Sequence, residues 1–522
     1  MSRQLIIDDL PEEVMIEIFV NLSPKQLKIA ALVCSGWNEI ISNSPKVLKH
    51  FQLNLKPSPP SKILAAVSIK RRLSGLITNT LVKPVEQFIG SRNLTHLELA
   101  NMTLQKERLV DILSLVRNIN SLTLTWILLE EEIRGTDTSS VQFSKLETLK
   151  LHKTDTEVLS LLSATTLTSY SSQTMEDEDY LTKSSPIRHR LKKQPPEDIA
   201  ADQIRFLSKH PTLKSLHLDG YGAEYVFNRL VDFTFKLQKF SLHCQDLEKE
   251  NLEASLLSQK DSLEEVEILS NFMLWPIVAF IDMPNLRVLK VPRIFYPEHP
   301  TAATKVEYLK INHVPEKPEA VEKFMQLFPG LKGFEVLPHS TSTYSFTAGR
   351  FSGLESFCFS SNIYFDTRFQ FKHLKELKFY QILVDETFFN KAIMNHSGTL
   401  EKLTVDWIDE SRFSRGTTIN AIKMCKKLKH LSIGCETPLI PRMFKNLTFP
   451  NPWQFDIHFR SKTTTSTVRD LKTESDWIKI VFRFPDDYAC FQGHCTSWDD
   501  QLIRDFSTVD NYGLNSYINM FK

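Results

Sequence analysis

The pattern L-x-x-L-x-L recurs along most of this chain of 522 residues and limits what the chain can fold into. Clear copies begin at Leu94, Leu213 and Leu400, and copies with aromatic substitutions begin at Leu237 and Leu331. From residue 216 onward, the middle apolar positions of successive copies lie 20 to 28 residues apart. Alternation inside each copy predicts a short strand with its apolar residues on one face, and the spacing predicts one strand and one connector per unit. We therefore expect stacked repeats and not a set of unrelated α/β units.

The connectors between these strands are predicted to be helices on the other side of the sheet. Residues 320–328 and 386–394 are amphipathic, and Pro211, Pro284 and Pro329 precede strand leucines, where a proline ends the helix before it. This order of elements resembles the leucine-rich-repeat proteins. The resemblance implies an α/β fold in which a curved solenoid carries a parallel sheet on its inner face.

One feature of that family is mostly missing. The asparagine that its members carry three residues after the last strand leucine occurs here at Asn271 and Asn362, but other repeats have Tyr221, Ile294 or Glu436 instead. This side chain normally satisfies backbone groups of the turn. We therefore expect irregular repeats within the same architecture.

The first fifty residues carry a different pattern, which predicts four short helices. Pro11 suits a first helical position, and acidic residues follow it in the first turn. Val14 and Ile18 form an apolar stripe at helical spacing, and Ser23-Pro24 and Ser44-Pro45 are start signals for later helices.

Residues 10–37 resemble the F-box in their opening Leu-Pro, in the apolar spacing of the first helix and in Val-Cys-x-x-Trp. The resemblance implies docking to a Skp adaptor and, through it, to cullin and RING subunits. The residues that it assigns to that interface are Leu10, Pro11, Val14, Ile18, Val33, Cys34 and Trp37. A module this small does not bury all of its apolar residues alone, which suits a partner. A helical cap resting on the repeats is the alternative.

The two resemblances, together with changes in composition along the chain, imply four regions. We expect an F-box at 5–52, a linker at 53–90 with short helices that lead into the repeats, a leucine-rich-repeat solenoid at 91–460 and a C-terminal cap at 461–522. An insertion at about 171–203 holds an acidic cluster, then basic residues and prolines, which predicts a mobile loop. A nuclear-localisation or docking role is the alternative for that loop.

The sequence offers little that would support catalysis. It lacks the motifs G-x-x-x-x-G-K, G-x-S-x-G and H-E-x-x-H, and Cys490, His494 and Cys495 have no second pair of ligands to complete a zinc site. We predict no catalytic residue, cofactor or metal. Lys and Arg (63) nearly balance Asp and Glu (62), so we expect no nucleic-acid partner. No apolar run would span a membrane, and the absence of an export signal predicts a cytoplasmic or nuclear protein.

The residues between the strand leucines should line the open face of the sheet, where their mixed charges suit an unidentified protein substrate. The candidate substrate-binding residues are His217, Asp219, Glu267, Lys310, Lys378, Tyr380 and Trp407. Together, the two resemblances imply a non-catalytic substrate-recognition subunit of an SCF-type cullin-RING ubiquitin ligase. The alternative is a non-catalytic leucine-rich-repeat scaffold that acts outside a ubiquitin ligase.

Overall fold

The computed structural model describes part of the chain, and the account below concerns that part. The described residues are 10–22, 24–48, 52–54, 75–79, 81, 85–86, 89, 94–130, 140–174, 195–244, 252–270, 274–276, 278–295, 302–312, 323–336, 344–346, 353–360, 363–365, 371–380, 386–408, 415–435, 454–459 and 478–482. The chain divides into two compact units, Met1–Leu237 with Ser497–Lys522 (unit 1) and Gln238–Thr496 (unit 2). Each unit is described by itself.

Unit 1 begins with the predicted helical module. Its helices are α1 (Glu12–Val20), α2 (Pro24–Ala30), α3 (Ser35–Asn43) and α4 (Pro45–Leu48). Pro11 lies just before α1 as its N-cap, one residue earlier than its predicted position, and its carbonyl oxygen accepts the N–H groups of Val14 and Met15. The buried core of the module consists of Met15, Phe19, Leu27, Ala30, Ile41 and Val47.

The rest of unit 1 is a parallel sheet with helical connectors. The strands, in their order across the sheet, are β1 (Gln52–Asn54), β2 (Gly75–Thr78), β3 (His96–Leu104), β4 (Ser121–Leu129), β6 (Thr148–His152), β8 (Ser169–Gln173) and β9 (Ser215–Asp219). A separate parallel pair joins β5 (Val141–Phe143) and β7 (Leu162–Ala164). The connecting helices are α5 (Lys106–Ser114), α6 (Pro196–Leu207), α7 (Ala223–Asn228) and the 3-10 helices Thr156–Leu161 and Leu230–Asp232.

Unit 2 repeats the same plan. Its parallel sheet runs through β10 (Lys239–His243), β11 (Glu265–Leu269), β13 (Val288–Lys290), β15 (Tyr308–Ile311), β16 (Gly333–Val336), β18 (Ser356–Ser360), β20 (Glu376–Tyr380), β21 (Lys402–Ile408), β22 (His430–Cys435), β23 (Gln454–Phe459) and β24 (Ile478–Phe482). Two short parallel pairs are β12 (Leu274–Pro276) with β14 (Arg293–Phe295) and β17 (Tyr344–Phe346) with β19 (Ile363–Phe365). The helices include α8 (Leu252–Leu257), α9 (Val278–Ile281), α10 (Glu386–Asn395) and α11 (Arg415–Lys423), and residues 323–326 form a further helical turn. The described strands of neither unit close into a barrel.

The register explains why the leucine pattern produces this sheet. In unit 2 the middle apolar residues pair across neighbouring strands, as Val266 does with Leu289 and Leu289 with Leu309, and all three are fully buried. The residues between them point to the opposite, open face because side chains alternate along a strand. A fixed register therefore places every apolar position of the repeat in one core.

Acidic and basic residues alternate along the row of positions that precede eight successive strands of the unit 2 sheet, from β11 to β22. The members of this leading row are Glu264, Arg287, Glu307, Lys332, Glu355, Lys375, Glu401 and Lys429. Each backbone N–H donates to the carbonyl oxygen of the previous member, as Lys332 does to Glu307 at 2.7 Å. Side chains pair along the row too: Lys332 Nζ lies 2.8 Å from a Glu307 carboxylate oxygen, and its ammonium group holds the pKa of Glu307 below its ordinary range.

Two parts of the chain differ from the sequence prediction. Strands β1 and β2 extend the sheet into 53–90, where the sequence predicts a linker and short helices. The prediction missed these strands because their residues lack the leucine pattern that marks later strands. Both ends of the predicted insertion at 171–203 are regular structure, since β8 runs to residue 173 and α6 begins at Pro196 with Glu197 and Asp198 in its first turn, and residues 175–194 lie outside the described part of the chain. Within 461–522, where the sequence predicts a C-terminal cap, residues 478–482 form strand β24. Cys490, His494 and Cys495 lie outside the described residues.

Thr154 takes the place of the missing asparagine in one repeat. It lies three residues after the strand leucine Leu151, and its Oγ1 is 3.0 Å from the Leu124 carbonyl oxygen, 3.1 Å from that of His152 and 3.3 Å from the backbone N of Ile127. The side chain is buried. A hydroxyl group therefore satisfies the backbone of the turn across two adjacent strands.

We expect Thr154→Val to lower the free energy of unfolding of unit 1 by about 1–3 kcal/mol, because valine keeps the shape but leaves buried backbone groups without a partner. Urea denaturation measures the loss. Thr168→Val is the control, since the Thr168 hydroxyl donates a single bond, to the Glu147 carbonyl oxygen, near the surface. Equal losses in the two variants would contradict the proposed role of Thr154.

Buried His210 makes the stability of unit 1 depend on pH. Its ring lies 4.4 Å from the Phe206 ring, centroid to centroid, and burial lowers the pKa of His210 from 6.5 to about 4. The folded state thus binds this proton less readily than the unfolded state, so stability is complete above pH 6.5 and is lost as pH falls toward 4. We expect the loss at pH 5 to be about 2 kcal/mol. Urea midpoints of wild type and His210→Gln between pH 5 and 8 measure it, and parallel pH profiles would contradict it.

Candidate functional site

The helical module leaves large apolar side chains in contact with solvent. Val14 is 43% exposed, Ile18 37%, Ile29 59%, Leu32 83% and Val33 61%. Among the described residues these make up five of the eleven exposed large hydrophobic side chains, although the module is a small part of the chain. Exposed apolar residues at this density mark an interaction surface. We call these five residues the apolar surface of the module.

The helical spacing of α1 explains how two apolar faces arise from one short helix. Met15 and Phe19 are four residues apart and are buried in the module core, while Val14 and Ile18, each one position earlier, point outward. Residues four apart share one face of a helix. The buried pair holds the module together, and the outer pair is available for a partner.

Three of the predicted interface residues are half-buried and position the module. The Trp37 ring packs edge-on against Phe19 with 5.4 Å between centroids, and Cys34 Sγ accepts the backbone N–H of Trp37 at 3.4 Å, which caps α3. Leu10 packs against the module core. These contacts favour supporting roles for Leu10, Cys34 and Trp37, while Pro11 at the start of α1 is exposed.

The sequence prediction missed two members of the apolar surface. Leu32 is the most exposed large hydrophobic residue described, and Ile29 is more exposed than Val14 or Ile18. Ile29 lies two residues after buried Leu27 in α2 and therefore on the opposite, outer face of the helix, and α2 ends at Ala30, so a turn carries Leu32 outward. The sequence signal for this exposure is the apolar pair Leu32-Val33, which directly follows the last turn of α2.

The structure places His217 and Asp219 at alternate positions of β9, on the open face of the unit 1 sheet. His217 is half-buried and Asp219 is buried. The end of the strand is held by Thr174, whose backbone N–H donates to the Asp219 carbonyl oxygen at 2.9 Å. Asp219 therefore offers a partner little surface, while His217 is the more accessible of the two.

Glu267, Lys310 and Lys378 share one row on the open face of unit 2, in register with Lys290, Glu335 and Cys358. Lys290 Nζ lies 3.1 Å from Glu267 and 3.2 Å from Glu265, and Lys310 Nζ lies 3.1 Å from Glu335. Burial opposes the charge of Lys290, but the two carboxylates raise its pKa above the ordinary range. The charges on this face are thus largely satisfied within the chain.

Tyr308 is a further open-face residue that the sequence prediction missed. Its ring covers Gly333 on the neighbouring strand, where an added Cβ would lie 2.4 Å from the ring, and its hydroxyl donates to Glu335 at 2.5 Å. Burial and then the Glu335 carboxylate raise the pKa of Tyr308 far above its ordinary range. The contacts with Gly333 and Glu335 fix the Tyr308 ring on the open face, and tyrosine is a favoured anchor at protein interfaces. Gly333 makes room for the ring, and this role can be recognised only when the strand register is known.

Tyr380 and Trp407 lie near the ends of β20 and β21, and their side chains are outside the described part of the structure.

Burial raises the pKa of the Cys358 thiol well above its ordinary value and that of Cys425 to about 12, so both stay protonated at neutral pH. Of the described helices, none is both long and apolar enough to cross a membrane.

Comparison with known proteins identifies the helical module. A family model described as F-box-like matches residues 7–51, which contain α1 to α4. No curated protein matches the chain.

Proposed function

We propose that this chain, whose residues 7–51 form an F-box-like domain, is the substrate-recognition subunit of an SCF-type cullin-RING ubiquitin ligase. The F-box-like domain binds a Skp-type adaptor, and the adaptor links the chain to cullin and RING subunits. The repeats form a leucine-rich-repeat solenoid that binds a protein substrate. The observation that carries this proposal is the apolar surface of the module.

The free energy available from this surface is of the right order for a stable complex. Fully burying one Val, Leu or Ile side chain contributes roughly 1.5–3 kcal/mol. The five residues start between 37% and 83% exposed, so an adaptor that covers them gains several kcal/mol. Micromolar binding requires about 8 kcal/mol, which hydrogen bonds and contacts at the rim would complete.

The open faces of the two sheets suit a protein substrate. In unit 2 acidic and basic groups are mixed on the open face and pair with one another, so the face has no excess of one sign for a nucleic-acid backbone. Tyr308 supplies a rigid aromatic contact beside these pairs. A protein with polar groups and an apolar anchor fits such a face.

In this role the chain supplies position and not chemistry. In such a ligase the ubiquitin-conjugating (E2) enzyme bound to the RING subunit performs the chemistry, and the receptor brings a substrate to it, which raises the effective concentration of the reacting groups. We expect the protein to work in the cytoplasm, the nucleus or both.

Co-purification tests the proposal. We expect the full chain to bind Skp adaptor and cullin, and Leu10→Ala/Pro11→Ala to lose both, because this pair fixes the start of α1. Thermal unfolding of both proteins checks that the module stays folded. Recovery of neither subunit by the wild type would overturn the ligase role and favour the scaffold outside a ligase.

A further inference from the structure

Unit 2 carries a basic surface that the proposed function does not use. It consists of Lys372, Lys423, Lys426 and Lys427 with Met424, all of them exposed, and we call it the lysine patch. We propose that the lysine patch is a docking surface for an acidic polypeptide segment that also carries apolar side chains. The proposal is independent of the adaptor surface.

The patch is built on a tight turn between α11 and β22. Lys423 is the last residue of α11, and the turn closes through backbone bonds from Cys425 N to Ile422 O at 3.0 Å and from Leu428 N to Cys425 O at 3.1 Å. Cys425 and Leu428 are buried and anchor the turn. Lys426 and Lys427, between these anchors, are therefore held on the outer surface.

Lys372 extends the patch along the same edge of the sheet. It lies two residues before the strand leucine Leu374, as Lys426 does before Leu428, and the turn between these two repeats carries Gly398 at that position. Strands β20 and β22 are separated by β21, so about 10 Å separates the two turns. The lysine patch thus extends across β20, β21 and β22. Because the middle turn carries Gly398 two residues before its strand leucine, no bulky side chain at that position separates Lys372 from Lys426.

The positive charge of the patch exceeds what the described residues around it neutralise. The nearby members of the leading row are already paired, with Lys375 Nζ 2.8 Å from Glu355 and Lys429 Nζ 2.5 Å from Glu401. Lys427 adds to the field that lowers the pKa of Glu401. Within the described residues, none of the four lysines of the patch forms an ion pair. A helix C-terminus favours cations through its dipole, but this effect is confined to the last turn and does not explain Lys372.

Exposed methionines separate this patch from an ordinary solvated lysine surface. Met424 is 55% exposed in the middle of the patch, and Met394 is 42% exposed at the end of the neighbouring helix α10. Methionine is flexible and adapts to varied apolar partners. Lysines around an apolar contact fit an acidic segment with leucine or phenylalanine, whereas a nucleic acid would need only the charges.

Fluorescence anisotropy with the full chain tests the proposal. The probes are a labelled peptide of glutamates with interspersed leucines, a glutamate-only peptide of equal charge and a single-stranded oligonucleotide. We expect the glutamate–leucine peptide to bind most tightly and Lys423→Glu/Lys426→Glu/Lys427→Glu to weaken it at least tenfold. Met424→Gln should weaken that peptide about threefold and leave the glutamate-only peptide unchanged.

The matched control is Lys209→Glu/Lys214→Glu/Lys305→Glu, which makes the same change in charge at exposed lysines elsewhere. We expect it to change the affinity less than twofold, and thermal unfolding verifies that all variants fold. Equal weakening by the control, tighter binding of the oligonucleotide or no saturable binding of the glutamate–leucine peptide would each overturn the proposal.

Discussion

Val14→Asp/Ile18→Asp should weaken binding of the Skp-type adaptor about 100-fold while the unfolding temperature changes little. Both side chains lie on the outer face of α1, 43% and 37% exposed, so their replacement removes apolar contact without opening the core. The loss of two buried aliphatic groups at roughly 1.5 kcal/mol each, together with two charges that an apolar interface would have to desolvate, accounts for the size of the effect. Titration calorimetry with purified adaptor measures it.

Two further variants separate interface from stability. Phe19→Ala should unfold the module, because Phe19 is fully buried and supports Trp37. Lys46→Ala removes an exposed ion pair with Glu17 at 2.6 Å and should change adaptor affinity less than twofold. Wild-type affinity in Val14→Asp/Ile18→Asp would show that the adaptor binds another face of the module.

Phe357→Ala is expected to lower the free energy of unfolding of unit 2 by about 3–5 kcal/mol, as is usual for a buried phenylalanine. Phe357 is the centre of an aromatic cluster, with ring centroids 5.9 Å from Phe334, 5.1 Å from Phe359 and 5.5 Å from Phe371. Because the ring packs against a neighbouring strand, its own strand and the connector, and Phe357 pairs in register with Leu377 on the other side, alanine leaves a cavity that no single neighbour can fill.

Urea denaturation, followed by the exchange of amide protons in unit 2, measures this loss and separates it from unfolding of unit 1. Phe357→Leu is the control, since it keeps most of the apolar volume and should cost less than half as much. A loss below about 1 kcal/mol for Phe357→Ala would mean that the cluster is not essential to the core.

The repeat pattern predicted the sheet because its physical basis is local. A leucine at alternate positions needs a buried face, and a constant register then places Leu289 beside Leu309. Strand β2 was not predicted, because its short apolar run, Gly75–Thr78, has no spacing that marks it as a repeat. Its pairing with β3 is a tertiary contact, which local sequence preferences do not predict.

The candidate surfaces were predictable only in part. The apolar spacing of the first helix identified Val14 and Ile18, which are exposed, but it did not identify Met15 as an inward residue, and Leu32 becomes exposed because α2 ends two residues earlier. On the open face, the sequence shows Lys310 and Glu335 as charges without showing that they are 3.1 Å apart. Partners across strands depend on the register and on side-chain conformers, which lie beyond the reach of a repeat pattern.

The alternating charges of the leading row also limit how a gene for this chain could change in length. Removal of one repeat, for example the one that begins at Lys332, would bring Glu307 next to Glu355 and place two carboxylates side by side on adjacent strands. Like charges directly opposite each other destabilise a sheet. Loss or duplication of two successive repeats keeps every acidic residue beside a basic one. We therefore expect unit 2 to tolerate deletions and tandem duplications in pairs of repeats better than in single ones.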